Sequence, residues 1–135
     1  MPTSPYLLLV NSRPTSVPDT LWTEWYTTEH LPDLVNSKAS TRATFYQEVS
    51  AQTTTTNTAD SNPRHFLALY QTDHEEPLKS DGYVQEVRKH SDLFEAASGK
   101  PRNQDNGEFD ARNYKLIQDF DPKGLGDGMS SSVPF

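Results

Sequence analysis

The order in which strand-like and helix-like segments follow one another is the feature of this sequence that most restricts its fold. Short segments rich in apolar, β-branched or aromatic residues predict strands at 6–12, 39–50, 64–72 and 111–120. Apolar residues at helical spacing predict helices at 19–31 and 82–97. The resulting β-α-β-β-α-β order is typical of an α+β, ferredoxin-like sandwich, in which a four-stranded antiparallel sheet carries both helices on one face.

Prolines and glycines set the predicted ends of these segments. Pro32 is expected to stop the first helix, because proline disfavours helical geometry in the residue before it. The Ser-Gly-Lys-Pro sequence at 98–101 is expected to end the second helix. Residues 102–110 predict a polar loop with an Asn-Gly turn at 106–107.

Length and composition predict one domain with a lean core. The 135 residues fit a single domain, which we place at 1–121, followed by a tail at 122–135 that is rich in glycine and serine. Residues 51–63 are polar and low in complexity, as in an exposed loop. Only 33% of the residues are hydrophobic, so association with a second copy would add useful burial.

The predicted sheet has apolar side chains on both faces. In the third strand these alternate between two sets, Phe66, Ala68 and Tyr70 on one face and His65, Leu67 and Leu69 on the other. The chain supplies helices for only one face, so the simplest cover for the other is the sheet of a second subunit. We therefore expect a two-fold homodimer.

Charge and cysteine content exclude several classes of function. The net charge is −7 and the 12 basic residues form no cluster, so neither nucleic acid nor an anionic membrane is expected as a partner. The absence of cysteine excludes disulfides, thiolate metal sites and a cysteine nucleophile. The start, MPTSPYLLLVNS, resembles neither a signal peptide nor a membrane span, so we expect a soluble, cytoplasmic protein.

The segment LWTEWYTTEHLPDLV, at 21–35, concentrates large rings on one short helix. Trp22, Tyr26 and His30 follow one another at i, i+4 and i+8, so they form one stripe. Leu21 and Trp25 flank that stripe and are interpreted as core residues. Spacing alone favours a hydrogen-bonded histidine at the helix end for His30, where the helix dipole favours its cation.

WYTTEHLPD resembles the W-Y-x-x-E-H-x-P-D signature of the EthD-like family of dimeric α/β-barrel proteins. The resemblance covers about residues 6–121, and its other matching segments are LLLVNS, HFLALYQT, VRKHSDLF and FDARNYKLIQDFD. Together these segments resemble the short EthD-like proteins common in fungi, which are often associated with secondary metabolism.

The EthD-like resemblance implies a dimer that closes an α/β barrel, with one cleft per subunit, and chemistry without a cofactor. Relatives act as cyclases, decarboxylases, lactone isomerases and anthrone-type oxygenases on polyketide-like or aromatic substrates. The family's histidine maps onto His30, and the aromatic pair before it maps onto Trp25 and Tyr26.

These residue types suit proton transfer next to a carbonyl. An imidazole has an ordinary pKa of about 6.5, which suits a general acid or base near neutral pH. A phenol can hydrogen-bond a developing enolate oxygen; the candidates are Tyr26, Tyr46 and Tyr70. A flat apolar slot for a planar substrate would be formed by Trp22, Phe66 and Phe94.

The remaining candidates have two readings each. His65 either lines the cleft or lies in the dimer interface, and His90 either reaches the cleft or lies at the surface. Arg42 either binds a substrate carboxylate or enolate, or forms a surface ion pair with Glu48 or Asp33. The acidic turn around His74 has metal-ligand residue types but no preorganised frame, so no metal is expected.

The favoured hypothesis is a cofactor-free lyase, isomerase or cyclase that uses His30 as general acid or base and Tyr26 to orient the substrate. A cofactor-independent oxygenase would use the same residues. A non-catalytic binding protein for a hydrophobic metabolite would need the slot but no titratable group. A purely structural dimer would have no cleft beside His30.

Overall fold

The computed structural model describes residues 4–49 and 64–121 and shows an α+β fold. Four antiparallel strands form one sheet in the order β2-β3-β1-β4. Their bounds are β1 Tyr6–Pro14, β2 Arg42–Gln47, β3 Phe66–Thr72 and β4 Gly107–Lys115. This order is consistent with a ferredoxin-like fold, as the sequence predicts. The predicted loop at 51–63 and the predicted tail at 122–135 lie outside the described residues.

The helical segments cover one face of the sheet. They are α1 Asp19–Trp25, a π-helical turn Tyr26–His30, α2 Leu31–Asn36, α3 Asp81–Glu86 and α4 Asp92–Ser98. Alternate residues of the two central strands are buried beneath them, namely Leu8, Val10, Phe66, Ala68 and Tyr70. The helices contribute the largest side chains of the same core, Trp22, Trp25, Tyr26, Leu34 and Phe94. The aromatic stripe predicted from helical spacing therefore packs on the sheet.

The first helical region does not end at Pro32, contrary to the prediction from the sequence. The N–H of Leu31 donates to the carbonyl of Tyr26, five residues earlier, and the chain continues as α2 through Pro32. In a regular α-helix the proline ring would clash with the carbonyl of Thr28 and leave it without a donor. The wider turn changes the hydrogen-bond register just before the proline, and the hydroxyl of Thr28 donates to the carbonyl of Glu24 at 2.7 Å.

The predicted helix at 82–97 is two helices. Ser80 begins α3, where its hydroxyl accepts from the N–H of Tyr83, and Ser91 begins α4 by accepting from the N–H of Leu93. Between them Val87 has an extended backbone. The second serine offers a hydrogen-bond acceptor that favours starting a new helix over continuing the first.

The fourth strand begins four residues earlier than predicted and ends before 116–120. Gly107, which the sequence placed in a turn, is its first residue and pairs with Pro14. A Cβ at Gly107 would collide with the ring of Trp22 and would lie 2.6 Å from the carbonyl oxygen of Arg13. Only glycine lets β4 pass this close to the tryptophan.

The face of the sheet opposite the helices is also partly apolar. It carries the half-buried side chains Leu7, Leu9, Leu67 and Leu69. Tyr46 and Tyr114 flank them at 52% and 46% exposure. In the part of the chain that is described, no helix covers this face, and no helix is long and apolar enough to cross a bilayer.

Candidate active site

A cavity of about 680 Å³ lies between the sheet and the helices. Its size is within the range of small-molecule sites, which is roughly 300–1,000 Å³. The sheet contributes one wall and the helical region the opposite wall. The sheet residues are Leu8, Val10, Tyr70, Phe109 and Ala111, and the first helical region adds Trp25, Tyr26, His30 and Leu34.

The π-helical turn places Tyr26 and His30 at its two ends, on the side that faces the sheet. The imidazole of His30 stacks on the ring of Trp25, with centroids 4.6 Å apart and planes 19° apart. It also meets the ring of Tyr26 edge-on at 5.5 Å. These contacts hold the imidazole in one orientation without using its nitrogen atoms.

The two ring nitrogens of His30 have no hydrogen-bond partner among the described residues. The side chain keeps some accessible surface and lines the cavity. Desolvation by the surrounding protein lowers the pKa of His30 to about 4; Asp33 acts against this shift and Lys89 adds to it. His30 is therefore neutral at pH 7 and can accept either a hydrogen bond or a proton.

Two tyrosine hydroxyls are buried in the cavity wall. Those of Tyr26 and Tyr70 have no hydrogen-bond partner in the described part of the chain. Burial raises the pKa of both phenols above the usual value. The nearby hydroxyl of Ser12 lowers the pKa of Tyr26 and so offsets part of the increase caused by burial. The two hydroxyls nevertheless do not have hydrogen-bond geometry. Buried polar groups are normally paired, so two unpaired hydroxyls beside a cavity indicate a place where a ligand oxygen can bind.

The half-buried side chains of Leu78 and Tyr83 also line the cavity, and the remaining part of the lining is polar. It is formed by the exposed side chains of Lys89, Arg102 and Gln104, with Asn103 buried behind them. Lys89 and Arg102 are hereafter called the cationic rim.

Asp33 fixes the loop that carries this rim. Its carboxylate accepts from the backbone N–H of Arg88 at 3.1 Å and from Nε and Nη2 of Arg88, both at 2.8 Å. Burial alone would raise the pKa of Asp33, but the hydrogen bonds from Arg88 outweigh it and lower that pKa. The sequence suggested Arg42 as a partner of Asp33, whereas the structure pairs Asp33 with Arg88.

Three of the predicted site residues meet at the cavity, namely His30, Tyr26 and Tyr70. Trp22 and Phe94 lie behind it instead. The ring of Trp25, which does line the cavity, is 5.2 Å from that of Trp22 and 5.0 Å from that of Phe94. Phe66 is also buried in the core, where it stacks on Phe45 at 5.5 Å. These rings support the wall rather than form its surface.

The structure places the other predicted residues away from the cavity lining. Arg42 and Tyr46 lie on the opposite face of the sheet, in a small hollow beside Leu7 and Leu69. Nε2 of His65 lies 3.5 Å from the carboxylate of Asp19 at the start of α1.

His90 is exposed and forms an isolated bridge with Arg102. Its neighbour Lys89 lines the cavity instead.

Sequence reasoning missed the cationic rim and Asn103. The segment VRKHSD contains Lys89, but it was interpreted as one face of a continuous helix, on which His90 was the candidate. The break between α3 and α4 turns this segment into an extended loop. Predicting the break from the capping potential of Ser91 would have identified the loop.

Within residues 4–49 and 64–121, no three histidine, aspartate or glutamate side chains are close enough together to hold a metal ion. No protein-family model, curated protein or solved structure matches this chain.

Proposed function

We propose that this protein is a cofactor-free, cytoplasmic lyase, isomerase or cyclase that acts on a polyketide-like or aromatic intermediate of specialised metabolism. The observation that carries the proposal is an unpaired imidazole in a cavity whose wall holds two unpaired phenol hydroxyls. The resemblance of WYTTEHLPD to the EthD-like family supports the same reaction class.

In the proposed reaction, neutral His30 removes a proton from a carbon next to a substrate carbonyl. The C–H bond electrons form an enolate, whose oxygen accepts a hydrogen bond from the hydroxyl of Tyr26. The imidazolium then returns its proton to carbon or to a leaving group, and this second step distinguishes isomerisation from cyclisation or elimination. A pKa of about 4 makes His30 a weak base, and the adjacent enolate would favour the imidazolium once it forms.

Deuterium exchange into 2-tetralone, a bicyclic ketone with one benzene ring, tests the proton-transfer step without knowledge of the natural substrate. We expect the protein to accelerate exchange next to the carbonyl in D₂O, and His30→Gln to reduce this acceleration by about 10²-fold. That factor is at the low end for a general base because the pKa of His30 is low. Proton NMR gives the rate, with the protein-free rate measured in parallel.

His74→Gln is the matched control for the exchange experiment. His74 lies on an exposed turn, where Nε2 is 3.2 Å from the carbonyl oxygen of Lys38, and it does not line the cavity. This variant should exchange at the wild-type rate. Equal rates for wild type and His30→Gln would remove His30 from the proposed chemistry.

The apolar wall and the low pKa of His30 also support a second function, a non-catalytic binding protein for a hydrophobic metabolite. In that case 2-tetralone would bind, as seen by chemical-shift changes, without accelerated exchange.

A cofactor-independent oxygenase is a third proposal, since it would use the same His30 and Tyr26. Oxygen consumption with an electron-rich phenol or anthrone would distinguish it.

We further propose that the protein is a homodimer in which the sheet faces opposite the helices pack together. The four half-buried leucines and the two exposed tyrosines of that face support this arrangement. Sedimentation velocity should give twice the 15.2 kDa of one chain. Leu69→Lys should shift the protein to monomer, whereas Val84→Lys, on exposed α3, should not. A wild-type monomer at micromolar concentration would contradict the proposal.

A further inference from the structure

We propose that the ligand of this cavity is an aromatic acid. Its planar apolar body would lie between the sheet and the helices, and its carboxylate would meet the cationic rim of Lys89 and Arg102. This inference rests on the proposed function, for which it specifies the substrate class.

The charges around the cavity support an anionic ligand. The described residues that line it include Lys89 and Arg102 but no aspartate or glutamate, although the chain as a whole has a net charge of −7. Nζ of Lys89 is 3.3 Å and 3.4 Å from the carbonyl oxygens of Val87 and Tyr83, and within the described ranges it has no carboxylate partner. Arg102 is only loosely paired, at 4.0 Å from Asp105. Both cations can therefore bind a further anion.

The rim is held in place by backbone pairing rather than by flexible side chains alone. The N–H of Asn103 donates to the carbonyl of Lys89 at 2.9 Å, and its Nδ2 donates to the carbonyl of Arg88 at 2.9 Å. His90 and Arg102 form a β-bridge between the same two segments. The two backbone segments that carry the cations are thus paired beside the cavity, so both side chains can approach one carboxylate there.

Asn103 adds a neutral polar contact behind the rim. Its Oδ1 is buried and has no partner among the described residues, while the residue lines the cavity. Oδ1 can accept a hydrogen bond from a ligand hydroxyl but repels a carboxylate. The carboxylate is therefore expected at Lys89 and Arg102, with any phenolic hydroxyl nearer to Asn103.

A matched pair of probes tests the charge preference. 2-Naphthoate and 2-naphthalenemethanol share the same ring system, but only the first carries a carboxylate. We expect the naphthoate to bind about 3- to 10-fold more tightly, as two solvent-exposed ion pairs allow. Raising NaCl from about 0.02 M to about 0.5 M should remove most of this difference, because salt screens exposed charges. Isothermal titration calorimetry gives both affinities.

The double variant Lys89→Gln/Arg102→Gln should lose the preference for 2-naphthoate over the alcohol. Lys100→Gln, an exposed lysine outside the cavity lining, should retain the preference. Ala111→Phe, which adds a ring to the wall of the cavity from β4, should weaken binding of both probes and so locate the site. Equal affinities in the wild type would overturn this inference and leave the proposed function standing. Absence of binding for both probes would overturn both.

Discussion

Replacing Trp22 with alanine is expected to lower the free energy of unfolding by about 3–5 kcal/mol, the usual range for losing a buried aromatic side chain. Trp22 is fully buried, and its ring lies within 5.9 Å of four other aromatic rings: Trp25, Tyr26, Phe94 and Phe109. Its Nε1 donates to the hydroxyl of Ser12 at 3.2 Å. Alanine would leave a large void and remove the only group that pairs with this buried hydroxyl among the described residues.

Urea unfolding followed by far-ultraviolet circular dichroism measures this effect without relying on tryptophan fluorescence. Trp22→Phe keeps part of the packing and should be less destabilising than Trp22→Ala. Val84→Ala serves as a control because Val84 is 59% exposed, and it should change stability by less than about 0.5 kcal/mol. A loss below about 1 kcal/mol for Trp22→Ala would contradict the packing described here.

The second large effect is a loss of stability in acid caused by His30. Its pKa is about 4 in the folded protein against 6.5 in the absence of burial. The unfolded chain therefore binds a proton at higher pH than the folded protein does. The stability present above pH 6.5 should fall as the pH drops toward 4, by up to about 3 kcal/mol at 1.36 kcal/mol per pKa unit.

Comparing unfolding free energies at pH 7 and pH 4 for wild type and His30→Gln isolates this contribution. Carboxylates also titrate in this range, but they do so in both proteins, so the difference between the two proteins reports His30. The wild type should lose up to about 3 kcal/mol more than His30→Gln. Parallel losses in wild type and His30→Gln would mean that the imidazole is not desolvated in the fold.

The sheet and its two layers could be predicted from the order of the segments, because β-α-β-β-α-β leaves few ways to bury the apolar residues. The residues at which individual helices and strands begin and end could not be predicted in this way. Gly107 looked like a turn residue because its neighbour in space, Trp22, is 85 positions away in the chain. The break at Val87 was missed because the capping serine Ser91 was read as part of a longer helix.

The candidate site was predictable where it depends on one helix. Tyr26 and His30 are four residues apart, so a shared face follows from helical geometry. The cationic rim depends on the pairing of residue segments 87–91 and 101–103, which no periodicity in the sequence reveals. Arg42 and Tyr46 were assigned to the site because strand alternation does not say which face meets the helices.

Pro32 and the π-helical turn before it constrain each other, so they form one structural unit. Replacing Pro32 with alanine would restore a backbone donor for Thr28 and remove the steric reason for the wider turn. If the segment then returned to a regular α-helix, the residues before the turn and the residues after it would rotate relative to one another by one residue, about 100°. Trp25 lies before the turn and Asp33 lies after it, so they could not both keep their present contacts, the first with Phe94 and the second with Arg88. The turn that Pro32 favours thus sets the relative phase of the helix that packs on the sheet before it and the helix that carries Asp33 after it.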